Sequence, residues 1–329
     1  MIHSANGHYL FLGLRISMEN ETSVNNFIFS GFSHLLRYQG FLFVGFLFIY
    51  LLTLMGNILI FTLIWVDTHL HTPMYFFLGN LSVLDICYSS ATIPQILHNL
   101  LMEKKVISFQ ACMSQLFFLI TCAGAECILL AVMAYDRFVA ICAPLRYLAV
   151  MSRGRCIQLA TCPWAIGILN SALHTVLTSS LSFCDSNVIQ HFFCDVPQLL
   201  KLSCVDTSLN NTVLHVVTVF VGLSPCLLII ISYFNILSSI MKIRSPEGRW
   251  KTFSTCGSHL TVVFLYYGTV NFNYNRPTDG YSVHIDTLAS VLFCMVTPML
   301  NPILYSLRNK EVMGALRRTV HRLHLLTEG

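Results

Sequence analysis

The sequence predicts an all-α membrane protein, a bundle of seven transmembrane helices with the N-terminus outside and the C-terminus in the cytoplasm. Three observations predict it. Of 329 residues, 55% are hydrophobic and 10% charged, with a mean hydropathy of +0.67, whereas soluble domains carry about 25% charged residues. Seven apolar runs recur, each near the roughly 20 residues that a membrane helix needs. Basic residues gather on one side of the implied membrane. This composition excludes a disordered regulator, a nucleic-acid binder and a secreted disulfide miniprotein.

Residues 1–17 precede a second methionine, Met18. The apolar stretch at 9–14 is too short for a signal-peptide core and lacks a basic segment before it. It reads as an upstream extension, and the first span then serves as an uncleaved targeting signal. Residues 1–40 form the outer tail, 41–307 the bundle and 308–329 the cytoplasmic tail. The spans are 41–66, 74–97, 112–138, 156–177, 212–241, 253–272 and 284–307. Connections between them are short except 178–211, whose Cys, Asp, Asn and Pro content reads as a structured loop.

With the N-terminus outside, the inner side receives Arg137, Arg146, Arg153, Arg155, Lys242, Arg244, Arg249, Lys251, Arg308, Lys310, Arg317, Arg318 and Arg322. The outer side keeps Arg15, Arg37, Lys104, Lys105, Lys201 and Arg276. That bias satisfies the positive-inside rule. Asn20-Glu-Thr22 is a glycosylation sequon in the outer tail. The sequon at Asn210 abuts the fifth span, and the one at Asn80 lies inside the second and is chance.

Four of the 13 cysteines fall at the outer face: Cys112, Cys184, Cys194 and Cys204. An even number in an oxidising compartment suggests disulfides, with three connectivities open. The other nine read as small, polarizable packing side chains. His191, Cys194 and Asp195 are metal-ligand types, but a disulfide-bonded cysteine has no thiolate to donate.

Charged residues inside spans are expensive and mark function by default. Arg137 ends the third span beside Asp136, against the plainer reading of a snorkelling arginine. Pro302 removes a backbone donor and weakens the seventh span locally. Asp85 lies 12 residues beyond Pro73 and Glu126 lies 11 before Arg137, so both sit roughly 16–18 Å from the inner boundary. Asn57 and Asn301 fall on nearby levels. Two buried carboxylates at one depth must share a proton, join a polar network or hold a cation.

Several motifs then stand in order: Gly56-Asn57, Pro73-Met-Tyr-Phe-Phe-Leu-Gly-Asn-Leu-Ser82, Met133-Ala-Tyr-Asp-Arg-Phe-Val-Ala-Ile-Cys142, Phe253-Ser-Thr-Cys-Gly-Ser-His-Leu260 and Pro298-Met-Leu-Asn-Pro-Ile-Leu-Tyr305. Together they resemble the odorant (olfactory) receptors among the rhodopsin-like G-protein-coupled receptors, over about residues 20–318. Phe138, Ala143 and Gly257 are small departures.

The resemblance implies a multi-pass plasma-membrane receptor for a small hydrophobic odorant. Its partners are a stimulatory, olfactory-type heterotrimeric G protein that raises cAMP and the membrane lipid; no nucleic acid is expected. It implies a Cys112–Cys194 disulfide, which leaves Cys184 to pair with Cys204. It assigns G-protein coupling to Asp136, Arg137 and Tyr305. It places Ile120, Ala123, Gly124, Val217, Thr218, Val221, Tyr267, Val270 and Tyr274 around a mostly apolar ligand cavity without fixed charge. It favours sodium at Asp85 and Glu126, the only cofactor expected; the alternative is one protonated carboxyl bonded to Asn301.

Three competing readings remain at this stage. One is a seven-span receptor for another small apolar ligand outside olfactory tissue. A transporter is disfavoured because seven spans do not divide into equal repeats. An enzyme is disfavoured because the sequence has no His-Glu-x-x-His, Gly-x-Ser-x-Gly or phosphate-binding glycine loop.

Overall fold

The computed structural model describes residues 24–32, 37–184, 186–242, 245–274, 283–307 and 309–327. Residues 1–17 and Asn20 lie outside them. The uncharged run after Tyr38 forms helix α1, Gln39–Val66. Its chain stops at Asp67, which caps a 3-10 turn, Thr68–Leu70, by accepting from the His69 backbone. Pro73, whose missing N–H suits a first helical turn, opens α2, Pro73–Leu101. Ser108 accepts from Ala111 N and starts α3, Phe109–Cys142. Then come α4, Arg153–Ser179, and α5, Ser208–Ile240. Helix α6 is Pro246–Tyr274. Helix α7 runs through Val283–Val291, Leu292–Val296, Thr297–Pro302 and Ile303–Leu307.

Among the described residues, six helices are long and apolar enough to cross a membrane: α1 to α5 and, in α7, Thr287–Tyr305. Helix α6 has 29 residues, about 43 Å at 1.5 Å each. That exceeds the roughly 30 Å hydrocarbon core, but Glu247, Arg249 and Lys251 and a run of Ser, Thr and His dilute its hydropathy. Most of the observed helices extend the expected spans, by up to seven residues at the start of α6, because helical hydrogen bonding continues through polar residues beyond the apolar runs.

Helix α3 is the axis of the bundle: 72% of its most apolar window is buried, against 11% for α5. Leu227, Leu228, Ile230, Ile231 and Phe234 cover the outer surface of α5, as a lipid-facing helix requires. Two glycines permit close approaches. A Cβ on Gly56 would lie 2.9 Å from the Pro302 ring, and one on Gly167 would lie 2.5 Å from the Thr121 carbonyl oxygen. Stretches of π-helix occur in α5 at Thr218–Leu223, just before Pro225. In α7 they flank Pro298 and Pro302. Prolines remove the donors that would hold regular α-turns there.

One end of the bundle carries a three-stranded sheet in the order β2–β1–β3. The strands are β1, Asn26–Phe29; β2, Val106–Ser108; and β3, Val188–Ile189. β1 pairs antiparallel with β2 and parallel with β3. Disulfides Cys112–Cys194 and Cys184–Cys204, with Cα separations of 5.6 and 5.8 Å, tie the 180–207 loop to α3 and to itself. Phe27, Phe29, Phe183, Leu199 and Leu200 form a small second core beneath it. The segment read as an outer tail therefore contributes a strand through pairing that lies far away in sequence.

At the opposite end, the segment expected only as a tail forms α8, Lys310–Thr327. Val312 and Ala315 are buried against the bundle. Arg318 Nε donates to Asp67 Oδ2 at 2.8 Å, and His69 Nδ1 lies 2.8 Å from Asp67 Oδ1. Burial acts to raise the Asp67 pKa, but hydrogen bonds from His69 and Arg318 overcome it and hold the group at about 2.

Candidate functional site

Beneath the sheet, α3, α4, α5 and α6 line a cavity of ≈ 80 Å³. Seven expected residues line it: Ile120, Ala123, Gly124, Val217, Thr218, Val221 and Val270. Gly124 leaves room for Asn170 and Val221, which stand 3.6 and 3.8 Å from where its Cβ would be. Tyr267 is a correction. Its hydroxyl instead donates to the Cys127 carbonyl at 2.8 Å, and its neighbour Tyr266 takes the place in the wall. One residue turns a helix by about 100°, so a single-residue error of register changes the face. The Tyr274 side chain lies outside the described residues.

The cavity is also more polar than expected. Asn170 and His174 of α4 line it, and so does Asp195, which corrects the expectation of a wall without a carboxylate. Asp195 Oδ1 already accepts from Val196 N, capping the short helix Val196–Leu200. These residues lie outside the motifs of the third and sixth spans, so transferring those motifs misses them. The i, i+4 spacing of Asn170 and His174 was the available signal, since it sets both on one helix face.

Deeper in the bundle, α2, α3 and α7 bring Asp85, Glu126 and Asn301 together. Asn301 Nδ2 donates to both Asp85 oxygens, at 3.0 and 3.1 Å. Asn57 Nδ2 donates to the Pro298 carbonyl at 3.1 Å, which ties α1 to α7. Among the described residues, Glu126 Oε1 and Asn301 Oδ1 are buried without hydrogen-bond partners. These hard, convergent oxygens suit a small monovalent cation.

At the α8 end, Asp136, Arg137 and Tyr305 are 2%, 5% and 3% exposed, so this face is closed. The sequence paired Asp136 with its neighbour, yet Asp136 Oδ1 also accepts from Tyr147 at 2.9 Å. Tyr147 starts the short helix Tyr147–Val150. Tyr233 Oη and His259 Nδ1, 2.8 Å apart, join α5 to α6 at the same end.

A helical membrane bundle with a lined cavity toward one end and a closed arginine site at the other defines a receptor-like class of protein. A family profile described as "Olfactory receptor" matches residues 46–323. Olfactory receptor 1G1 of Gorilla gorilla gorilla is 49% identical over 302 residues, 92% of this chain and 96% of the relative. Olfactory receptor 1F1 of Homo sapiens is 48% identical over 308 residues, 94% and 99% of the two chains. Olfactory receptor 5AR1 of Mus musculus is 49% identical over 302 residues, 92% and 97%. The chain belongs to the olfactory receptor family. It is a multi-pass membrane protein of a family of receptors, not of enzymes.

Proposed function

We propose that this chain is a plasma-membrane odorant receptor, with the sheet end outside and α8 in the cytoplasm. A small volatile organic molecule binds in the cavity below the sheet. Binding biases α3, α5 and α6 toward an arrangement that uncovers Arg137 for a stimulatory, olfactory-type G protein, and cAMP rises. The observation that carries this reading is the lined cavity, joined to the Arg137 end by α3, α5 and α6. Tyr266 supports the coupling, since it lines the cavity and its hydroxyl reaches the Ala123 carbonyl across α3. A ligand that shifts it therefore moves α6 against α3. A screen of volatile odorants in cells that express the chain tests the reading. Odorant-dependent cAMP is expected; surface-expressed protein silent to every odorant contradicts it.

We also propose that Asp85, Glu126 and Asn301 hold a sodium ion, whose positive charge would allow both carboxylates to stay ionised. Their convergent oxygens support this, and the ion would bind α2, α3 and α7 in the resting arrangement. Basal cAMP is then expected to fall as sodium replaces an isotonic organic cation, in wild type but not in Asp85→Asn. Identical responses in the two would favour a proton shared between the carboxyls.

A further inference from the structure

We infer that Lys105 holds a small monovalent anion, a halide such as chloride, in a cavity between strand β1 and the sheet-side end of α2. The cavity has ≈ 10 Å³ and shares no lining residue with the larger one. Its cation comes from the pair Lys104-Lys105 that precedes β2. Successive residues of an extended chain face opposite ways: Lys104 is exposed, whereas Lys105 is only 9% exposed. The Lys105 carbonyl accepts from Phe29 N at 2.8 Å. That bond fixes the residue beside β1, where Lys105 lines the cavity.

A lysine so covered ordinarily has a carboxylate beside it. Among the described residues, Lys105 has none within ion-pairing distance and donates no hydrogen bond. Phe29, Phe32, Ile96, Leu100 and Phe192 make most of the wall and offer no side-chain acceptor. Asn99 lines the cavity too, but its Oδ1 is engaged by Gln95 Nε2 at 3.1 Å. Its Nδ2 is fully covered, so neither atom answers the ammonium. The Lys105 ammonium is not among the fully covered atoms, so a water-sized particle reaches it. Burial pushes the Lys105 pKa below its ordinary value, and no neighbouring charge offsets that push.

A cation with three N–H donors and no acceptor nearby calls for a negative charge. Losing the proton would remove the charge and leave an amine whose N–H groups are still unmet. An anion answers both needs. Size then selects which one. A volume of ≈ 10 Å³ is roughly one water-sized position. It admits a single atom such as chloride or bromide and excludes phosphate, sulfate or a molecule that carries a carboxylate. A monatomic ion also needs no second directional donor, and the apolar wall supplies none. Seated there, the ion ties α2, β1 and Phe192 of the 180–207 loop together, so the sheet is the element that it steadies.

The test is hydrogen exchange on the detergent-solubilised full chain in sodium chloride, sodium bromide or sodium gluconate, each at about 0.15 M. Sodium and ionic strength are thereby constant, and gluconate is too large to enter. The amides of residues 28–31 report the site, because they donate to the segments that close the sheet around it. In wild type, both halides are expected to slow their exchange relative to gluconate by at least about threefold, the mass-action effect of a Kd at half that concentration or tighter. Exchange of α8, at the opposite end, is expected to be the same in all three salts. In Lys105→Met, which keeps the length and removes the charge, the halide effect is expected to disappear; Lys105→Gln takes its place if the methionine variant does not fold. Equal exchange of residues 28–31 in chloride and gluconate would overturn the inference on wild type alone. So would an equal halide effect at α8, which marks a general action of the salt, or an undiminished effect in the lysine variant.

Discussion

Replacing Gly167 by alanine tests the tight seam between α3 and α4. The added Cβ would lie 2.5 Å from the Thr121 carbonyl oxygen, 3.2 Å from Ala125 N and 3.3 Å from Ala125 Cβ. The first distance is about 1 Å short of ordinary contact, and two of the three atoms belong to helix backbone that cannot rotate away. Overpacking of this kind costs up to about 3 kcal/mol. Alanine returns about 1 kcal/mol through its higher helix propensity. The net destabilisation is therefore at most about 2 kcal/mol, up to roughly a 30-fold loss in the ratio of folded to unfolded protein. Gly268→Ala is the control, because a Cβ there meets nothing within 4 Å and only the propensity gain remains. Thermal unfolding of detergent-solubilised protein should show Gly167→Ala below wild type and Gly268→Ala at or above it. If Gly167→Ala unfolds with or above Gly268→Ala, the close seam is wrong.

Three further predictions follow from the two ends of the bundle. Peptide mapping without reductant should recover Cys112 with Cys194 and Cys184 with Cys204. Removing the second pair, which spans a sequence separation of 20, should cost about 3 kcal/mol, and recovery of Cys112 with Cys184 would contradict the loop. Asp67 sits near a pKa of about 2, below its ordinary value near 4. Its stabilisation of α8 is therefore complete above pH 4 and lost as pH falls through about 2. Hydrogen exchange of Lys310–Thr327 should accelerate across that window in wild type and lack the transition in Asp67→Asn. Finally, Arg137→Ala should abolish odorant-evoked cAMP while surface expression survives, and an undiminished response at matched expression would remove Arg137 from the coupling face.

The spans were legible because the physics that forms them is written locally, in long uncharged runs such as that of α1. The four outer cysteines were legible for the same reason, since their residue type and position mark an oxidising face. The strand Asn26–Phe29 was not, because four residues become a strand only through partners at 106–108 and 188–189. Helix α8 was hidden by its own charge: its arginines speak for topology, while Val312 and Ala315, with Leu316 partly buried beside them, form the stripe that packs on the bundle. In the cavity, the residues that the resemblance placed on α3 and α5 fell in the wall. Tyr267 missed it by one residue of helix phase. Asn170 and His174 stand on α4, where no motif pointed and where a polar residue in an apolar span looks like ordinary packing until the cavity beside it is seen.

The central claim is that the cavity of this chain receives the odorant that drives its signalling. Val221 lines the cavity, whereas Val219, two residues earlier on α5, is 49% exposed on its outer surface. The same enlargement, Val→Phe, can therefore be placed inside or outside the cavity without leaving the helix. The direct measurement is odorant-evoked cAMP from the two variants and wild type at matched surface expression. The account predicts that Val221→Phe loses the response by tenfold or more in potency and that Val219→Phe retains it. Equal responses from the two variants would contradict it.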